Sequence, residues 1–158
     1  MHRLLVTFAI PGVFLMSSSI ILHLTGQTAA AGPINIVRNG SFETPTVGLR
    51  NNIPYFAHIE FADSWTLDAG SIDHTGEDFW QAADGVQTVD LSGHFETGSI
   101  YQDLITTPGQ SYLLRFALAG NPAEDSPPIK NGVVFWGDDE VGRFTFEGSS
   151  ILNSRLWL

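Results

Sequence analysis

The chain has 158 residues, a formal net charge of −10 and no cysteine. That length bounds it to one domain with one core, and the lack of cysteine excludes disulfides, thiol chemistry and thiolate metal sites. The acidic balance argues against nucleic acid and anionic membrane surfaces, which need Lys/Arg clusters, and suits Ca²⁺, neutral ligands such as sugars, or solubility outside a cell.

The first segment reads as a leader. Met1-His2-Arg3 is a short basic start, Leu4 to Met16 is apolar apart from Thr7 and Pro11-Gly12, and Ala29-Ala30-Ala31 supplies small residues for cleavage. This is the pattern of a secretory signal peptide over residues 1–31. Pro11-Gly12 and Ser17-Ser18-Ser19 keep the apolar run below the roughly 20 residues of a membrane span. Cleavage after Ala31 removes Arg3 while all 17 Asp and Glu remain, so −10 becomes −11. The processed protein, residues 32–158, is expected outside the cell or at its surface, with no membrane insertion.

Beyond Pro33, Ile34 to Val37 predicts a short strand that runs into the turn Asn39-Gly40 and returns Phe42 to the core. Thr44 to Pro54, with two prolines, predicts a loop. Phe56 to Phe61, Ser64 to Leu67 and Ser71 to His74 predict three strands, with Trp65 as a core anchor. Phe79-Trp80 then leads to a turn at Asp84-Gly85, where glycine accepts a positive φ, and Val86 to Leu91 continues as a strand. Ser99 to Ile105 is a strand with Ile100, Gln102 and Leu104 on one face and Tyr101, Asp103 and Ile105 on the other. Thr107-Pro108-Gly109-Gln110 matches a type II turn. Ser111 to Leu118 alternates Tyr112, Leu114, Phe116 and Leu118 against Leu113, Arg115 and Ala117. Gly120 to Pro128 is an acidic loop, and Lys130 to Trp136 and Arg143 to Glu147 predict two strands around a turn at Asp138-Asp139-Glu140.

No sustained 3.6-residue apolar period occurs after residue 32. Short strands separated by turn residues predict an all-β fold: an antiparallel β-sandwich of jelly-roll type, with a closed barrel as the alternative. Ile151 to Leu158 ends on large apolar residues, as a strand that is just beginning, and the sandwich is expected to lack its last strands.

Several motifs occur in order: Asn39-Gly40-Ser41-Phe42-Glu43, Trp65, Gly70-Ser71-Ile72-Asp73, Trp80-Gln81-Ala82-Ala83-Asp84-Gly85, Val89-Asp90-Leu91-Ser92-Gly93, Thr107-Pro108-Gly109 and Phe116 to Pro122. Together they resemble the DUF642-like domains of secreted bacterial choice-of-anchor C proteins, relatives of the plant cell-wall DUF642 proteins. The resemblance spans about residues 34–147. It implies a galactose-binding-domain-like jelly roll, a fold shared with many carbohydrate-binding modules. It also implies that Glu43, in its Asn-Gly-x-Phe-Glu motif, helps hold a structural Ca²⁺ together with backbone carbonyls and a carboxylate from a final strand.

Sugar rings stack on aromatic faces while Asp, Asn and Gln take their hydroxyls. Phe79, Trp80, Tyr101 and Trp136 are the candidate platforms, and Gln81, Asp84 and Asn121 the candidate hydroxyl partners; each aromatic has a place in the core as its alternative. His58, His74 and His94 lack zinc-ligand spacing. No short motif fixes a carboxylate pair for glycoside hydrolysis, and none marks a nucleophile or a phosphate loop. The expected function is therefore a non-enzymatic secreted module that binds a polysaccharide or glycan of cell wall or matrix. A structural surface protein making protein contacts is the alternative, and a glycoside-active enzyme ranks behind both.

Overall fold

Without a helical apolar period, backbone N–H and C=O groups must find partners across strands. The computed structural model describes residues 1–8, 15–16, 20–24, 34–48, 51–93, 96–120, 129–147 and 151–157. Their regular elements are all strands: β1 (His2–Phe8), β2 (Leu15–Met16), β3 (Ile20–Leu24), β4 (Ile34–Asn35), β5 (Asn52–Phe56), β6 (Ile59–Phe61), β7 (Trp65–Ala69), β8 (Ser71–Gly76), β9 (Gln87–Asp90), β10 (Ser99–Leu104), β11 (Tyr112–Gly120), β12 (Ile129–Trp136), β13 (Asp139–Glu147) and β14 (Ile151–Trp157).

Every described pairing is antiparallel. A six-stranded sheet runs β13-β12-β1-β10-β7-β6. A second sheet runs β14-β11-β3-β4, with β2 also on β11, and a third runs β5-β8-β9. All three contribute to one core: Leu67, Ile100 and Val134 from the first, Leu114, Phe116 and Leu118 from the second, Ile72 and Val89 from the third. The fold is an all-β, sandwich-like arrangement of the jelly-roll kind.

Trp65 is fully buried as its sequence context predicts, and its indole N–H donates to the Asn39 carbonyl at 3.1 Å. Phe42 packs beside it, 5.3 Å between ring centroids, with φ at +61°. A left-handed aromatic is uncommon and needs surroundings that over-determine it. The alternation read in β10 holds: Ile100, Gln102 and Leu104 are buried, and Ile105 is exposed. In β11 the opposite face is buried too, Leu113 and Ala117 included, so the strand is covered on both sides. Gly109 has φ +76° and Gln110 N–H donates to the Thr107 carbonyl at 3.1 Å, as the type II turn requires.

Three local expectations are corrected. Phe56 to Phe61 is two strands, because His58 at φ +68° breaks the extended run and lets the chain pass from the third sheet to the first. The end of the predicted loop 44–54 is β5, where Pro54 is tolerated because β5 is an edge strand. The acidic turn lies at Gly137-Asp138, with Gly137 at φ +65°, and Asp139 and Glu140 begin β13.

The segment read as a leader supplies β1, β2 and β3. β1 is interior to the six-stranded sheet, and its Leu4 is fully buried. Residues 25–33, with the expected cleavage site, lie outside the described residues. No helix among those residues is long and apolar enough to cross a membrane. The apolar end of the chain forms β14, which pairs with β11 from Leu113↔Trp157 to Ala119↔Ile151.

Candidate binding site

β8 and β9 are joined by residues 77–86, and this connection carries Trp80, Gln81 and Asp84, all predicted to contact sugar. Phe79 N–H donates to the Gly76 carbonyl at 3.1 Å, which turns the chain outward at the end of β8. Phe79 and Trp80 then meet edge to face, 6.5 Å between centroids and 67° between planes. Phe79 is 45% exposed and Trp80 half-buried, while Gln81 and Asp84 are exposed. The result is an aromatic pair at the surface with an amide and a carboxylate on the same loop.

The far end of that loop is fastened by Glu43. One carboxylate oxygen, Oε1, accepts the backbone N–H groups of Val86 at 2.9 Å and Gln87 at 2.8 Å. Hydrogen bonds to a charged acceptor are worth roughly 1.5–3 kcal/mol where they are shielded, and less at a surface. Gly85, at φ +75°, passes directly over this carboxylate, and a Cβ there would run into it. The Asp-Gly pair is therefore demanded twice, by the turn and by the contact.

Beneath the loop lies a buried polar knot. Gln87 Nε2 donates to the carbonyls of Phe42 at 2.6 Å and Pro45 at 3.1 Å, while its Oε1 accepts Val47 N–H at 2.5 Å. His74, fully buried on β8, brings Nε2 to 2.8 Å from the same Phe42 carbonyl. Its Nδ1 has no hydrogen-bond partner, so the neutral tautomer protonated at Nε2 fits, since an unpaired acceptor costs less than an unpaired N–H. Burial lowers the His74 pKa, against the raising effect of the Phe42 bond and the Glu43 charge. Thr75 and Thr88 complete the knot with a 2.5 Å hydroxyl contact across β8 and β9. Thr46, Gly48, Gly76, Glu77, Val86 and Gln87 line a recess of about 120 Å³ beside the loop.

The other predicted residues lie elsewhere. Tyr101 is on β10, on the outward face of the six-stranded sheet, where the Arg3 guanidinium sits 3.8 Å from its ring centroid. Asn121 lies outside the described residues. Trp136 stacks on His2, 5.3 Å between centroids, and tilts against Tyr112 at 5.6 Å, so it belongs to the rim of the core. For the implied calcium, Glu43 offers only what its N–H bonds leave, and no group of three or more His, Asp or Glu side chains gathers to hold a metal among the described residues. Calcium takes six to eight oxygens, which Glu43 would have to share with backbone carbonyls and a further carboxylate. The sequence did not mark Gln87, Asp90 and Lys130 as site residues, and His74 was weighed there only as a zinc ligand and set aside for its spacing. Their one signal was polar residues inside strands that otherwise read as buried.

A family model matches the chain over residues 35–151, and its description is a protein of unknown function, DUF642. The chain belongs to the DUF642 family. No curated protein and no solved structure matches it. Within the DUF642 match fall Glu43, the 77–86 loop and the Gln87–His74 knot, whereas β1 and β3 lie ahead of it.

Proposed function

We propose that this protein is a non-enzymatic, exported module that binds a polysaccharide or glycan of cell wall or matrix through residues 77–86. The observation that carries the reading is the exposed Phe79–Trp80 pair on a loop that also presents Gln81 and Asp84 and is fastened at its end by Glu43. An aromatic face takes the C–H face of a sugar ring, and flanking amide and carboxylate groups take its hydroxyls. Fastening the loop before binding lowers the entropy cost of ordering it afterwards. A sandwich fold alone says nothing of ligand, so the reading rests on this loop and not on the architecture.

Export follows from the leader pattern of residues 1–31, and the N-terminus of the exported protein, read by mass spectrometry, tests it against Gly32. Binding is tested by co-sedimentation with insoluble polysaccharides. Retention should fall about tenfold in Trp80→Ala, from loss of one stacking contact of roughly 1.5 kcal/mol, with circular dichroism unchanged. Equal retention of the variant, or none of the folded parent on any polymer, would defeat the proposal.

A further inference from the structure

The strand at the heart of the largest sheet lies ahead of the residues that the family shares: β1 ends at Phe8, and the match begins at residue 35. β10 and β12 are not neighbours; each pairs with β1. The slot between them is built on every side. One wall pairs with His2 to Thr7 and the other with Leu4 to Phe8, both antiparallel. Its floor takes Leu4, which is fully buried. Its outward face takes Arg3, whose guanidinium lies over Tyr101 and donates to both Asp103 oxygens at 3.0 and 3.3 Å, with Asp68 adding attraction. At its end His2 stacks on Trp136 and bonds Thr106 Oγ1 at 2.7 Å, while Gly137 N–H donates to the Arg3 carbonyl at 2.7 Å.

We propose that the slot between β10 and β12 is a strand-acceptor site, and that in the processed protein an extended segment of a partner chain fills it, with a basic residue over Tyr101 and Asp103 followed by a branched apolar residue in the Leu4 position. The partner rests on the reading that residues 1–31 are removed after export. Removal also takes β2 from β11 and β3 from between β11 and β4; between β10 and β12 it leaves two unpaired strand edges and a hole in the core, and both are remedied by another strand. Main-chain ladders supply affinity and alternate side chains supply selectivity. An aromatic face beside a carboxylate is suited to a guanidinium, and the acidic chain favours approach of a basic segment. Tyr101 is thereby assigned to peptide recognition and not to sugar.

The test uses the full chain with a protease site inserted between Phe8 and Leu15. After cutting, a labelled synthetic peptide with the sequence of residues 2–8 is added and its fluorescence anisotropy followed. The expected result is saturable exchange of the cut segment for the labelled peptide. Peptides carrying Arg3→Glu or Leu4→Asp should bind about tenfold more weakly. Tyr101→Ala in the protein should shrink the difference between the parent peptide and the Arg3→Glu peptide while leaving the circular dichroism intact. The proposal is overturned if the remainder closes and takes up no peptide, if it collapses once the segment leaves, or if the Arg3→Glu peptide binds as well as the parent. An exported protein that still begins at Met1 would sink the partner occupant alone, because the exchange result does not depend on processing.

Discussion

Gln87 holds one stretch of backbone, residues 42–47, at three points with one amide. Its oxygen takes Val47 N–H, and its nitrogen serves the carbonyls of Phe42 and Pro45. Truncation would strand a buried N–H and weaken the support of two carbonyls, each unmade bond costing about 1–3 kcal/mol. Gln87→Ala should therefore destabilise the protein by about 3 kcal/mol in urea unfolding; a loss under about 1 kcal/mol would mean that water replaces the amide. His74 beside it sets a pH dependence. Its folded pKa is lowered by burial, so between that value and the ordinary value of about 6.5 the unfolded chain binds more protons. The contribution is complete above about pH 6.5 and is lost as pH falls toward the folded pKa, at up to about 1.4 kcal/mol per pH unit. The stability difference between the parent and His74→Asn should be flat above pH 7 and shift in favour of the variant below pH 6. Parallel curves would remove His74 as the cause.

β9 shows how strand pairing can bury polarity. Gln87, Thr88, Val89 and Asp90 are all buried, although only one of them is apolar. Each polar member has a partner: Gln87 at the Phe42–Val47 turn, Thr88 on β8, and Asp90 at the N–H of Ser92 just beyond the strand, 2.8 Å away. Lys130 on β12 is also fully buried; burial lowers its pKa and the charge of Asp90 acts against that shift. A buried charge that loses its counter-charge costs about 3–5 kcal/mol, whereas replacing both with apolar groups of similar size can be neutral. Asp90→Asn should accordingly unfold at markedly lower urea than the parent, and Asp90→Asn with Lys130→Met should recover at least half of the loss. Additive effects of the two substitutions would show that the charges do not act together. Alternation in Val86 to Leu91 made this strand legible as a strand. It did not reveal that both faces are covered, because that depends on what packs against it.

For the molecule as a whole, the calcium implied by the family resemblance meets a carboxylate already engaged as a loop fastener. Thermal unfolding in calcium and in a chelator should give the same midpoint, since only a ligand bound to the folded state raises it. A rise of several degrees with calcium would return Glu43 to a ligand role. The acidity counted from the sequence takes a direction in the fold: Asp68 and Asp103 stand around Arg3 on the outward face of the six-stranded sheet. What the chain determines on its own is local. Period-two alternation marked β10 and β11, turn chemistry marked Asp84-Gly85 and Pro108-Gly109, and bulk marked Trp65 and Phe42 for the core. These rest on steric and solvation rules that operate within a few residues. Only the tertiary structure decided which strands pair, that the apolar segment read as a leader places β1 inside a sheet, and that Gln87, His74, Asp90 and Lys130 are inside. Partners in a β-sandwich are distant in sequence, and burial of a polar group is tolerated only where those distant partners meet it.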